Sequence, residues 1–164
     1  MGKGKPPGRR PAPPRPAPPP TQPAWDIRLA EPAEAVYREL ARRAGEAESR
    51  GDAGSRHCAT LRMVDEVLDT IIPHNPIDRR NALAGNLSNV CRHAKGRMRI
   101  FWIASSRKRK VVVLHISYTP RKEGDAYDPY EVFSRMVLSG RFKEFFDELG
   151  VRLSEAARGY HASR

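Results

Sequence analysis

From Val111 to Tyr118 the chain is β-branched and apolar almost without interruption, which marks a central strand. The segment just before it, Arg97 to Ala104, alternates, with Met98, Ile100 and Trp102 on one face. Between the two lies Ser105-Ser106-Arg107-Lys108-Arg109-Lys110, a polar, basic stretch that reads as a hairpin turn. Strands joined this closely pair antiparallel, so the chain has to be built round a hairpin. Leu87 to His93 is a further, weaker strand.

Helical patterns flank this sheet. Residues 31–49 place Val36, Tyr37, Leu40 and Ala44 on one face, with Pro32 in the first turn. Residues 50–54 are loop. Ser55 to Ile72 carries a second stripe of Leu61, Val64, Leu68, Ile71 and Ile72, which Pro73 should stop. The short connection makes these two helices an antiparallel pair. Residues 73–86 have no clear period and read as loop. After the sheet, Asp128, Pro129 and Glu131 form the start of a helix, as N-cap, first residue and capping-box partner. Tyr130, Phe133 and Val137 would form its inner face and Gly140 its end. A last helix over about Arg141 to Leu149 brings Phe142, Phe145 and Phe146. The expected fold is α+β: an N-terminal antiparallel helix pair on a small three- to four-stranded antiparallel sheet, followed by C-terminal helices.

Residues 1–24 hold ten of the fifteen prolines and five Lys or Arg, with no acid. Proline at that density gives polyproline II or disorder rather than a packed core, so this segment is expected to be a tail. The folded domain is then residues 25–150, long enough for one core without disulfides, and 151–164 form a C-terminal tail. No run of about 18 apolar residues is present, so no membrane span is expected. The start lacks the apolar stretch of a secretory signal. Cys58 and Cys91 lack metal-ligand spacing and read as buried thiols in a reducing, cytoplasmic setting.

The net charge of +11 favours an anionic partner. Its distribution says more: Arg79 to Lys122 contains twelve Lys or Arg and no carboxylate, whereas Glu31 to Ile72 contains nine acids and six bases. Solubility alone does not require charge segregated in this way. The sequence has no HExxH, no CxxC, no phosphate-binding glycine loop and no serine elbow, so neither a metal nor a cofactor is expected.

What remains is a basic set interleaved with aromatic and imidazole groups. Arg97 and Arg99 are expected on one face of a strand, with Arg92, His93 and Lys95 just ahead. His115 and Tyr118 fall on opposite faces of the partner strand. Arg121, Lys122 and Tyr127 follow. A hairpin centred between Arg107 and Lys108 puts Tyr118 opposite Arg97; a one-residue slip puts His115 beside Arg99 instead. Taken singly, Arg97 and Arg99 read as solvated strand residues, His115 as a core histidine, and Tyr127 and Tyr130 as helix-docking aromatics. Together they suit metal-free RNA cleavage. There the ribose 2′-OH attacks the adjacent phosphorus, guanidinium groups match the phosphate oxygens, and His or Tyr moves protons.

Gly96-Arg97-Met98-Arg99-Ile100-Phe101-Trp102, the strand Lys110-Val111-Val112-Val113-Leu114, and Asp125-Ala126-Tyr127 with Val132-Phe133-Ser134-Arg135-Met136 resemble the YhaV family of bacterial type II toxins, within the RelE-like group. The likeness is best over residues 87–140 and weaker over the helix pair. It implies a RelE-like fold and a ribosome-dependent mRNA endoribonuclease that halts translation. It also implies a PrlF-type, AbrB-like antitoxin, and contact with DNA only through the antitoxin complex. Arg97, Arg99 and Tyr127 match the family motif, and Arg121 lies near a family arginine. The chain departs at Ser117-Tyr118-Thr119, where the family has an Asn-Asp-type run, and at Glu123-Gly124, where it has a basic residue. The catalytic candidates are therefore Arg97, Arg99, Arg121, His115 and Tyr127. The candidates for holding RNA are Arg92, His93, Lys95, Arg107, Lys108, Arg109, Lys110 and Lys122. The rival reading is a non-catalytic RNA- or ribosome-binding module.

Overall fold

The computed structural model describes residues 24–118 and 127–153, with the backbone alone at Asn86. The proline-rich segment, Arg121, Lys122, the Asp125-Ala126 part of the motif and residues 154–164 lie outside the described residues.

The sheet has four strands in the order β1-β4-β3-β2. They are β1 (Asp26–Leu29), β2 (Cys91–Lys95), β3 (Met98–Ser105) and β4 (Lys110–Ser117). The antiparallel hairpin β3–β4 and its neighbour β2 are as expected, although β2 starts four residues later than the pattern suggested. The new element is β1, which runs parallel to β4 with Asp26 opposite Lys110 and Leu29 opposite Val113. Four residues of half-exposed alternation are too short to register as a strand; β1 exists because β4 offers it an edge.

Helix α1 (Glu31–Ser49) has Pro32 as its second residue, carries Glu31 and Glu34 in its first turn and buries Leu40, Ala44 and Ala47. Helix α2 (Arg56–Glu66) is capped by Ser55, whose side chain accepts from the Cys58 N–H at 3.2 Å. It continues through a π-helical turn (Val67–Ile71) into α3 (Ile72–His74). The helix thus ends two residues later than expected. The widened turn lies just ahead of Pro73, where the proline ring and its missing N–H disturb the ladder four residues back. Helix α4 (Pro129–Leu138) is capped by the buried Asp128, which accepts from the Tyr130 N–H at 2.8 Å. Helix α5 (Lys143–Leu149) ends at Gly150 in the left-handed conformation that glycine favours.

Both faces of the hairpin are covered, which is why its strands read as nearly continuous apolar sequence. Met98, Ile100, Trp102, Val111, Val113 and Ile116 pack against α1 and α2. Phe101, Ile103, Val112 and Leu114 pack against Phe133, Val137, Phe142 and Phe146 from α4 and α5.

The register is not uniform. From Ser105–Lys110 to Trp102–Val113 the hairpin is centred between Arg107 and Lys108, but Phe101 then pairs with His115, so β4 bulges by one residue at Leu114. Arg99 consequently opposes Ser117, and neither of the two registers weighed from sequence runs the length of the hairpin. The bulge turns His115 to the α4 face, where it joins Leu114 instead of Val113.

Candidate functional site

The α4 face of the sheet gathers four polar side chains at its Ser117 end. Arg92 lies opposite Phe101 and so shares a face with Arg99, two residues back along β3. Tyr130, in the first turn of α4, lies close to both. The Arg92 guanidinium carbon is 5.2 Å from the Tyr130 ring centre and that of Arg99 is 5.9 Å from it. Arg92 Nη1 also donates to the Tyr130 hydroxyl. Arg99 Nη1 donates to the carbonyls of Gly96 at 2.7 Å and Met98 at 2.8 Å. Among the described residues no carboxylate pairs with either guanidinium. Two cations beside one ring, without a carboxylate partner among the described residues, give this end of the sheet a local positive charge.

His115 completes the patch. Its ring is near-parallel to Phe101 (16°, 6.3 Å) and Phe133 (14°, 6.4 Å), and Phe101 in turn meets Tyr130 edge-on at 5.5 Å. Burial pushes the imidazole down to about 4, with the positive charge of Arg141 adding to the effect. The ring is therefore neutral near pH 7, and its Nδ1 is buried without a hydrogen-bond partner among the described residues. A neutral imidazole is competent to take a proton.

A cavity of about 560 Å³ opens beside it, across the edge of β4 that β1 leaves unpaired beyond Val113. Helix α1 lines one wall with Val36, Glu39 and Arg43, and Pro129 and Val132 of the α4 region line the other. His115, Ser117, Tyr118 and Tyr127 border it. Tyr127 is 62 % exposed, so it does not dock the helix as its sequence context suggested.

The remaining sequence candidates are scattered. Arg97 lies exposed in the β2–β3 turn rather than on β3. It borders a small cavity on the α2 side with Arg56, Thr60, Met63 and Tyr118, so the structure does not set it beside Arg99 as expected. His93 and Lys95 also face α2: His93 lies opposite Ile100, and Lys95 pairs with Glu66 at 3.1 Å. Burial, then Lys95, holds His93 below its ordinary value. The hairpin residues sit at the far end of the sheet, six residues or about 20 Å along β3 from Arg99. Lys110 pairs with the Glu148 carboxylate at 3.2 Å, and Lys108 donates to the Glu148 carbonyl. Arg109 stacks over Trp25 at 4.2 Å, and Arg107 is exposed. Most of this basic turn thus fastens α5 and the start of β1. Among the described residues no cluster of three His, Cys, Asp or Glu could hold a metal, and no helix is long and apolar enough to cross a membrane.

The profile of a family described as toxins with endonuclease activity, of toxin–antitoxin systems, matches residues 29–154. The chain belongs to this YhaV toxin family. The match runs from the last residue of β1 to the end of the described chain and so includes Arg92, Arg99, His115 and Tyr130. No curated protein matches. Among solved structures, the isolated Escherichia coli RelE toxin is 16 % identical and covers 70 % of this chain and 96 % of its own, at a TM-score of 0.45. The intact E. coli RelBE toxin–antitoxin complex is 15 % identical, covering 60 % of this chain and 100 % of its own, at 0.43. The RelBE2 complex of Mycobacterium tuberculosis is 16 % identical, covering 58 % and 99 %, at 0.42. The motif of this YhaV-family chain falls on the turn and first half of β3, the start of β4 and the body of α4, the elements that frame the patch.

Sequence reasoning missed Tyr130 as a site residue, taking it for a docking aromatic. It also missed Arg43, which arrives from a helix some seventy residues away. The sequence offers Arg92 only as a candidate for holding RNA. Its parity with Arg99 follows once β2 is placed, and that placement was the signal lacking.

Proposed function

We propose that this toxin is a metal-independent endoribonuclease that cuts mRNA on the ribosome and so stops translation. The observation that carries this reading is the pair of guanidiniums, Arg92 and Arg99, close to Tyr130 without a carboxylate partner among the described residues and next to a neutral His115. Arg92 and Arg99 hold the scissile phosphate and stabilise the charge growing on its oxygens. His115 accepts the proton of the 2′-OH as that oxygen attacks phosphorus. The 5′-oxygen leaves with a proton from Tyr127, whose phenol stands at the mouth of the same cavity. Arg97 contributes a flanking phosphate contact from its turn, and Arg121 and Lys122, which follow β4 in the chain, add positive charge. The protein works in the cytoplasm, where it is held inactive by an AbrB-like, PrlF-type antitoxin and reaches DNA only through that complex.

The test is a cell-free translation extract programmed with one defined mRNA, with cleavage mapped by primer extension. The wild-type chain should cut the translated message, and Arg99→Ala should cut about 10²- to 10³-fold more slowly, the usual effect of removing a transition-state donor. Message left whole by soluble wild-type protein would defeat the nuclease reading. Salt-sensitive binding to ribosomes without cutting would favour the rival, a non-catalytic RNA-binding module.

A further inference from the structure

Two of the polar side chains lining the cavity beside His115, Glu39 and Arg43, come from α1 and are tied to each other. Arg43 Nε donates to Glu39 Oε1 at 2.6 Å. Arg42 grips the same carboxylate through Nη2 to Oε1 at 2.8 Å and Nε to Oε2 at 2.9 Å, and its Nη1 donates to Glu46. The Arg42 and Arg43 guanidiniums bring the Glu39 carboxyl down to about 2, so it stays ionised. Among the described residues the Nη groups of Arg43 have no hydrogen-bond partner, so a fixed guanidinium faces the cavity with its fork unused. The aromatic side chains Tyr118 and Tyr127 share the cavity with His115. Its volume of about 560 Å³ lies within the range of small-ligand sites, roughly 300–1,000 Å³.

We propose that this cavity is the subsite for one nucleobase of the RNA, adjacent to the phosphate held by Arg92 and Arg99, and that Arg43 reads guanine there through O6 and N7. The proposal rests on the nuclease reading, because His115 belongs both to the cavity and to the phosphate-binding patch. The electrostatics select a base over a second phosphate. Arg42 and Arg43 are matched by Glu39 and Glu46, so the cluster offers donors without net charge. A dianionic or monoanionic group entering here would meet the Glu39 carboxylate, which lines the same cavity. Most of the wall is apolar, with Val36, Pro129 and Val132, and an exposed Tyr127 supplies a face for stacking. Among the four bases, guanine presents two adjacent acceptors on one edge. Adenine places a donor beside N7 and uracil a donor between its two carbonyls; cytosine also has an adjacent acceptor pair in O2 and N3, but its single ring offers Tyr127 a smaller stacking face than guanine's two.

The experiment has two arms, both on the full chain. In translating extracts, mRNAs differing only in the base at positions flanking a cleavage site are cut with wild-type, Arg43→Ala and Arg43→Lys proteins. Wild type should favour guanine at one flanking position by on the order of tenfold or more. Arg43→Ala should lose that preference while cutting other sites within a few-fold of wild type. Arg43→Lys should restore little, since a point charge lacks the fork. In the second arm, guanosine and cytidine 3′-monophosphates are titrated against wild type and Arg43→Ala, with chemical shifts of the cavity residues as the readout. A guanosine preference that disappears in the variant supports the subsite even if no message is cut, in which case only the nuclease reading has failed. Cleavage without base preference, an unchanged preference in Arg43→Ala, or equal binding of both nucleotides overturns the proposal. Melting curves confirm that the variants fold.

Discussion

Replacing His115 with Phe tests whether the imidazole is held neutral inside the patch. Phenylalanine keeps a ring next to Phe101 and Phe133 but cannot bind a proton. A folded pKa below the unfolded one means that the unfolded chain binds more protons between the two values. The stability linked to the group is therefore complete above the unfolded value and is lost as pH falls through the window. With a folded value of about 4 against an ordinary 6.5, wild type should lose about 2 kcal/mol through this one group between pH 7 and pH 5. His93, also lowered by burial, is present in both proteins and cancels in the comparison. Urea unfolding followed by the fluorescence of buried Trp102 gives the stability at each pH. The difference between wild type and His115→Phe should shift by that amount in favour of the variant at pH 5. Parallel loss in both proteins would show that the imidazole titrates as a solvated group, and its role as a neutral base would go with it. The rate of message cleavage should correspondingly stay flat down to about pH 5 rather than fall near 6.5.

Three further outcomes follow from the packing. Phe133 is fully buried, stacked on Phe101 at 4.3 Å and near Phe142 at 5.9 Å, so Phe133→Ala should cost about 3–5 kcal/mol in urea unfolding and impair cleavage by loosening α4. Tyr130→Phe keeps the ring but removes the hydroxyl that Arg92 engages. Cleavage should drop, while unfolding should show a loss of only about 1 kcal/mol. Glu148→Gln breaks the pairs with Lys110 and Arg28 at the far end of the sheet and should leave cleavage unchanged. Lys110, then Arg28, holds this carboxyl below its ordinary value, so the small stability difference between wild type and the variant should fade as pH falls through it and as salt is added.

Much of this molecule was legible locally. The two helices of the N-terminal pair, the hairpin, the cap at Asp128 and the last helix each announce themselves within a dozen residues, because periodicity and capping are near-neighbour chemistry. The acid-free basic block also agrees with membership of a family described as toxins with endonuclease activity. The grouping of its members was not legible. Arg97 and Arg99 read as a pair, yet one lies in a turn on the α2 side and the other beside Tyr130. The hairpin lysines and arginines read as RNA contacts, yet most are bound to Glu148 or Trp25.

The sequence by itself determined the helices, the strands β2, β3 and β4, and that β4 is a central apolar strand. Only the tertiary structure decided which side chains share a face. In a strand that choice reverses with every residue, so the single extra residue at Leu114 is enough to carry His115 across the sheet. The bulge and the parallel pairing of β1 are stabilised by contacts between segments far apart in the chain. No local pattern records them, and the patch built from Arg92, Arg99, His115 and Tyr130 exists only once those contacts are made.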